Sequence, residues 1–276
     1  MICKNLNNNN YLFDVRSLPI YEYVQAGLIV NESKNFHYWK LQQKEVVINA
    51  HAISVVSNSM IDYFKKIANT DVYYCPILID SNSLKFSLKF RKVYRDKLNL
   101  LQNNVYVYSG SFGLYGLNKT YLSQLIRIIM ENDSKAKFLF LLSNSEKEFN
   151  DFIYSNNFSA DLFIYKTSVF ENLFKYLSAA DVGIHALPKQ MDSNTRLGTK
   201  IVEYWACGLP TLINNHVGEA ASISSTKNFG KVIDLSLDKF NLDFSFFDRN
   251  KIEIESKAIF DLKSLIDKYM KIYNSI

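Results

Sequence analysis

Residues 199–213, reading Thr-Lys-Ile-Val-Glu-Tyr-Trp-Ala-Cys-Gly-Leu-Pro-Thr-Leu-Ile, leave the backbone little choice. On a helical wheel Ile201, Val202, Trp205 and Ala206 share one face, and Lys200, Glu203 and Tyr204 share the opposite one. Gly208 tolerates the positive φ that ends a helix, and Pro210 bars its continuation. Thr211-Leu212-Ile213 then opens a buried strand. The expected unit is helix, tight turn, strand, with one helix face packed and the other, carrying Glu203, turned outward.

The same alternation runs along the chain, which predicts an α/β protein with parallel sheets. Strands are expected over 11–15, 52–57, 105–108, 137–142, 162–165, 182–186, 209–213 and 231–233, with helical sequence between them. A helix is expected over 119–132, and the tail over 251–273 reads as one or two amphipathic helices. Ser145 with Glu148, and Ser168 with Glu171, have the spacing of capping boxes, which satisfy the first free N–H groups of a helix. In such parallel units, ligands collect where strand ends meet helix starts, because free N–H groups and the helix dipole attract phosphate there. The polar loop 192–198, which carries Asn194, Thr195 and Arg196 and ends in Gly198, occupies that place.

Bulk properties bound the answer more loosely. The 276 residues can bury one large core or two small ones, and 48% are apolar, with 18 Tyr and 20 Phe. Cys3, Cys75 and Cys207 are odd in number and lack ligand spacing, so reduced thiols in a cytosolic compartment are expected. His37, His51 and His216 show no metal-site spacing, and no metal is expected. His185, at a strand end, is read as a satisfied, partly buried histidine rather than a catalyst. No Walker loop or serine elbow is present. The start has no apolar export core, and no apolar run is long enough to span a bilayer. The net charge is +5, and nothing beyond charge suggests nucleic acid. Lys85, Lys89, Arg91, Lys92, Arg95 and Lys97 crowd one stretch, interleaved with Phe86, Leu88, Phe90 and Val93. Two readings stand for it: a surface resting on anionic lipid, or a solvated face whose aliphatic stems cover apolar side chains.

The motifs taken together resemble the retaining glycosyltransferases of family 4. Glu203, Ala206, Gly208 and Pro210 match that family's nucleotide-sugar signature. The strand and glycine turn Val105-Tyr106-Val107-Tyr108-Ser109-Gly110-Ser111-Phe112 is similar to the family's element beside the donor diphosphate, and Cys75-Pro76-Ile77-Leu78-Ile79-Asp80 to its interdomain linker. The likeness runs over 14–233. It implies the GT-B fold of two facing Rossmann-like domains, here a partial acceptor-side part over 1–76 and a nucleotide-sugar-binding domain over 77–276 that includes the C-terminal helices.

By the same resemblance, Glu203 holds the donor ribose, and Lys200 and Arg196 stabilise the departing diphosphate, the main chemical demand of such a transfer. Gly110, Ser111, Asn194 and Thr199 line the donor. Tyr165 either walls the base pocket with Lys166 and Thr167 or belongs to a capped helix start. The chain departs from the family at two places. Ser111 and Phe112 follow the glycine turn where many members carry a basic residue, and Thr195 replaces the first glutamate of the family's pair, leaving Thr199-Lys200 before Glu203. No general base is assigned.

The expected partners are a nucleotide-sugar donor as substrate, with no other cofactor, and a glycan or lipid-linked acceptor. The expected setting is cytoplasmic, at the inner face of the membrane, in cell-surface polysaccharide or lipopolysaccharide synthesis. Only 76 residues precede Ile77, against more than about a hundred for a whole domain. A fragment, half of a split enzyme, or a domain completed by a second chain are the readings of that shortness. A nucleotide-sugar epimerase of the same fold and a silent nucleotide-binding subunit are the alternative functions.

Overall fold

The computed structural model describes residues 10–112, 117–167, 170–189, 193–236 and 240–276. Two parallel sheets are built in succession. The first comes from β1 (Leu12–Val15), α1 (Pro19–Gln25), α2 (Lys34–Asn49), β2 (Ala52–Val55), α3 (Asn58–Lys65) and β3 (Val72–Tyr74), with strand order β1-β2-β3. The second begins after α4 (Leu88–Lys97). It runs through β4 (Asn104–Gly110), α5 (Leu117–Asn132), β5 (Ala136–Leu142), α6 (Glu146–Ser155), β6 (Phe163–Thr167) and α7 (Phe170–Ala179). It then continues through β7 (Val182–His185), α8 (Thr199–Ala206), β8 (Thr211–Asn214), α9 (Gly218–Lys227) and β9 (Gly230–Ile233). Helices α10 (Arg249–Phe260) and α11 (Leu262–Asn274) close the chain.

The six strands of the second sheet lie in the order β6-β5-β4-β7-β8-β9, every pair parallel. The chain therefore winds outward from β4 to one edge, returns beside β4, and winds outward to the other edge. This doubly wound order buries both faces of every inner strand. Along β5, Phe138, Phe140 and Leu142 enter one core with α5 and α6, while Leu139 and Leu141 enter the other with α7 and α8. The first of these cores is largely aromatic: Tyr106, Phe138, Phe140, Phe149, Phe152, Phe158 and Phe163 pack in one cluster.

Most elements fall where residue patterning puts them, with ends shifted by a few positions. Ser145 and Glu148 make both halves of the expected capping box at the start of α6; Ser168 of the second pair lies outside the described residues. Gly208 has φ +63°, and a Cβ there would meet the Arg249 carbonyl oxygen at 2.3 Å, so only glycine fits this helix stop. Strand β3 goes beyond the expected set, because three residues of Val-Tyr-Tyr carry too little periodicity to register.

The basic stretch keeps its lysines on the surface but not all of its arginines. It forms α4, and two of its arginines turn inward. Arg91 donates to the carbonyls of Ser178, Ala179 and Ala180 and to Asp181, and Arg95 donates to Ala179, Leu100, Asn103 and Asp181. Arg249 adds bonds to the Leu177, Ala180 and Cys207 carbonyls. A helix leaves its last carbonyls without intrahelical donors, and these three guanidinium groups supply them at the end of α7. Lys85, Lys89, Lys92 and Lys97 remain exposed.

Helix α11 packs on the first sheet rather than staying with the second. Ile272 is buried with Ala52 and Cys75, beside Leu12, Tyr73 and Tyr269, and Lys268 donates to the Tyr74 carbonyl. Where the chain crosses between the sheets it does so twice, side by side: Ile79 donates to Phe260 O, and Leu262 donates to Ile79 O, each at 2.9 Å.

Candidate functional site at the switch between β4 and β7

In a doubly wound sheet, the two central strands send their following helices to opposite faces, which opens a crevice at their C-terminal ends. Here those strands are β4 and β7, paired as Tyr106 with Val182 and Val107 with Gly183. Ser109, Gly110 and Ser111 stand at the end of β4, and His185 at the end of β7. Helix α8 starts beside them.

Gly110 has φ +142°, a conformation that an L side chain rarely adopts, and the Lys200 stem lies over it, with Cγ 3.8 Å from where a Cβ would be. The Ser109 N–H donates to Tyr204 Oη at 2.7 Å, so the end of β4 is tied directly to α8. Gly198 caps α8 without a side-chain hydrogen bond, and its carbonyl accepts from the Ile201 and Val202 N–H groups. Lys200 and Gly110 are thus brought together, and Glu203 follows one turn later.

The outward face expected for α8 is not what forms. Ile201 through Ala206 are all buried, Glu203 at 4% exposure and Tyr204 at 0%. Tyr204 is drawn in because its hydroxyl has Ser109 N–H to accept from. Trp205 is drawn in on the other side, donating Nε1–H to Thr211 Oγ1 and packing on Phe229 and Phe260. Glu203 is drawn in because Lys200 neutralises it, with Nζ 3.0 Å from Oε2 and 3.2 Å from Oε1. Burial pushes the Glu203 carboxyl above its usual range, and Lys200 pulls it partly back.

The loop ahead of α8 is anchored on both sides. Ser193–Thr195 form a single 3-10 turn, with Ser193 and Thr195 buried and Asn194 exposed. Arg196 Nη2 donates to Gln25 Oε1 of α1 at 2.7 Å, and Arg196 O accepts from Glu219 N. Glu219 Oε1 in turn accepts from Asn58 Nδ2 of α3 at 2.6 Å. The loop therefore sits where the two sheets meet. Thr199 is exposed at the helix start and Ser111 at the strand end, its carbonyl accepting from Tyr108 Oη. Tyr165 stands two strands away on β6, where its hydroxyl donates to Asn144 O and its ring packs on Phe149. It is not gathered with Gly110, Lys200 and Glu203.

His185 holds a place that residue patterning undervalued. Its ring stacks on Tyr108 at 6.1 Å, and among the described residues its buried Nδ1 has no hydrogen-bond partner. Burial, with Arg196 nearby, lowers its pKa to about 4. The imidazole is therefore neutral at pH 7. Orphaned buried N–H groups are rarer than orphaned acceptors, so the proton is assigned to Nε2. The Glu219 contact at the start of α9 was also missed, since nothing local marks Asn58 and Glu219 as neighbours. Among the described residues no cluster of three or more His, Cys, Asp or Glu could hold a metal ion.

No family model matches the sequence, and no curated protein matches it. Solved structures do. Sucrose-phosphate synthase from Thermosynechococcus elongatus superposes with TM-score 0.76 at 15% identity, over 99% of this chain and 69% of that one. Anabaena HepE in complex with UDP gives TM-score 0.74 at 13% identity, over 100% of this chain and 75% of that one. WaaG, a glycosyltransferase involved in lipopolysaccharide biosynthesis, gives TM-score 0.62 at 14% identity, over 94% and 70%. At such identities the likeness speaks for architecture, and the architecture is α/β of the GT-B type with Rossmann-like parallel sheets.

Proposed function

We propose that this chain is a glycosyltransferase that moves a sugar from a nucleotide-sugar donor to an acceptor hydroxyl. One observation carries the reading: Gly110 at the end of β4 meets Lys200 and Glu203 of α8, far from it in sequence, at the β4/β7 crevice, a position suited to a diphosphate. HepE, which shares the fold, has been captured with UDP-glucose, and this supports a nucleotide-sugar donor here.

In this reading Gly110 lets the diphosphate approach the end of β4. The leading N–H groups of α8, with Lys200 and Arg196, stabilise the charge that develops on the leaving diphosphate. Glu203 accepts from the ribose hydroxyls, with Ser111, Asn194 and Thr199 at the rim. Because Lys200 neutralises Glu203, donor binding in this reading redirects the ammonium toward phosphate while ribose hydroxyls take over the carboxylate. We extend the proposal to a retaining transfer of the family 4 kind, with the donor as the only cofactor-like molecule. The acceptor is a glycan or lipid-linked glycan of the cell surface, met at the cytoplasmic face of the membrane; WaaG's role in lipopolysaccharide biosynthesis favours that setting.

The test is a thermal-shift panel of UDP, GDP, ADP and their sugars on wild type and on Glu203→Gln. Binding to the folded state raises the melting temperature with ligand excess. A shift for one nucleotide series, diminished in the variant, is expected. No shift from any nucleotide, or a shift indifferent to residue 203, removes the proposal.

One observation favours a second reading, in which another chain completes the acceptor side. Among the described residues β1 is an edge strand, and a groove of about 560 Å³ runs beside Phe13, Val15, Ile20, Tyr23, Trp39 and Val46. Turnover that appears only on adding a second polypeptide distinguishes this reading. Conversion of the donor alone to an isomer marks the epimerase alternative instead.

A further inference from the structure

A cavity of about 370 Å³ lies at the pole of the six-stranded sheet opposite the β4/β7 crevice. It opens where β4, β7 and β8 begin, at Asn104, Val182 and Pro210. The crevice at the other ends of these strands is about 20 Å away along the seven residues of β4. Phe244 and Phe247, from the segment that leads into α10, give the cavity an apolar wall, and Arg91 and Arg249 border it as well. Its volume suits a small organic ligand.

The cationic side is short of negative charge. Arg91, Arg95 and Arg249 gather at the end of α7, and among the described residues Asp181 is the one carboxylate that pairs with any of them. Its capacity is already taken: Oδ1 accepts from Arg91, and Oδ2 accepts from Arg95 and from the Val105 N–H. Glu253, further along α10, pairs with Lys257, and Asp243, at the exposed rim, accepts from the Ser245 N–H.

Arg249 is left with neutral partners. Its Nη groups donate to the Leu177, Ala180 and Cys207 carbonyls, and its Cζ lies 4.0 Å from the centre of the Phe86 ring. Its buried Nε has no hydrogen-bond partner among the described residues. Burial and the charge of Arg91 pull its pKa down to about 9, so the guanidinium is still charged at pH 7. Buried charges are ordinarily paired, and an unsatisfied buried donor calls for a partner. The α7 carbonyls explain why arginines gather here, but not why one of them borders a cavity without a counter-ion. A carboxylate fits the planar fork of a guanidinium, and the phenylalanine wall suits a hydrocarbon body.

We propose that this cavity binds a small organic carboxylate, its charged end against Arg249 and Arg91 and its apolar body against Phe244 and Phe247. The site is separate from the β4/β7 crevice, so it stands whether or not a nucleotide sugar binds there.

The probe is para-trifluoromethylbenzoate, followed by fluorine NMR line broadening on the wild-type chain, with para-trifluoromethylbenzamide as its uncharged counterpart. The benzoate should broaden saturably and the benzamide should bind at least tenfold more weakly. Ser245 lines the cavity and is exposed, so Ser245→Trp should fill it and weaken benzoate binding at least tenfold, with far-UV circular dichroism kept. Arg91→Gln, which leaves Asp181 its bond from Arg95, gives a second reading and should weaken binding at least fivefold. Lys200→Met, in the crevice, should leave it within about twofold. No saturable broadening with the benzoate at about 10 mM, beyond the range of a weak specific ligand, overturns the proposal. Equal binding of the benzamide overturns it too, and that comparison needs no substitution. Benzoate binding that survives Ser245→Trp and is lost in Lys200→Met places the anion in the crevice instead and also overturns it.

Discussion

Lys200 Nζ lies within hydrogen-bonding distance of both carboxylate oxygens of Glu203, one turn along the same buried helix. Substituting Lys200 by Met leaves Glu203 buried and uncompensated. Removing one partner of a buried pair is costly, and the partial exposure of Lys200 moderates the loss to about 1–3 kcal/mol. Glu203 already has a raised pKa, and a carboxyl raised in the folded state is stabilised by protonation. The deficit should therefore be largest at neutral pH and shrink as pH falls toward the ordinary glutamate value of about 4.3. Urea titrations of wild type and Lys200→Met across that range check this, and a deficit that grows on acidification contradicts it.

Asp181 works in the opposite direction. Burial alone would raise its pKa, but Arg91, the Val105 N–H and Arg95 hold it below the ordinary carboxylate range. Its stabilising contribution is present above about pH 4, the unfolded value, and is lost as pH falls through the lower folded one. Asp181→Asn should cost about 2–4 kcal/mol at neutral pH by leaving two arginines without their carboxylate. The variant's acid-unfolding curve should flatten below pH 4 by comparison with wild type.

His185 sets the window above that. Its folded pKa of about 4 lies below the unfolded value, so the fold disfavours its charged form. The contribution is full above about pH 6.5 and is lost progressively as pH falls toward 4, with a limiting slope of about 1.4 kcal/mol for each pH unit crossed. In nitrogen-correlated NMR spectra the ring should remain the Nε2–H tautomer from pH 7 to about 5. A titration midpoint near 6.5, or a proton on Nδ1, would refute the assignment.

Gly110→Ala places a side chain at φ +142°, which costs about 1–3 kcal/mol where a β-carbon must be forced into that region. Since the added atom would meet only the Lys200 stem at 3.8 Å, the fold should survive while nucleotide binding weakens at least tenfold. Calorimetric titration with the nucleotide found in the thermal-shift panel measures this.

The second sheet was legible because parallel strands buried on both faces read as apolar runs, such as Phe138 to Leu142, and because Gly208 and Pro210 punctuate a helix-to-strand turn unambiguously. The placement of Lys200 and Glu203 near the strand-end loop was legible too. What the residues did not disclose was how completely α8 is enclosed. Tyr204 and Glu203 look outward on a wheel, and only the Ser109 N–H and the Lys200 ammonium, supplied by tertiary structure, make their burial affordable. Arg91 and Arg95 misled in the same way: a run of cations reads as surface until the helix end it caps is known. The 161-residue separation of Asn58 from Glu219 puts that contact beyond any local pattern.

The paired crossing at Ile79 and Phe260–Leu262 has a mechanical meaning. Two peptide segments link the sheets, and they are stitched to each other by main-chain hydrogen bonds. Swinging one sheet away from the other must therefore pivot about that stitched line, in the manner of a door on one jamb. The Gln25–Arg196 and Asn58–Glu219 bonds then act as a catch between the two sheets.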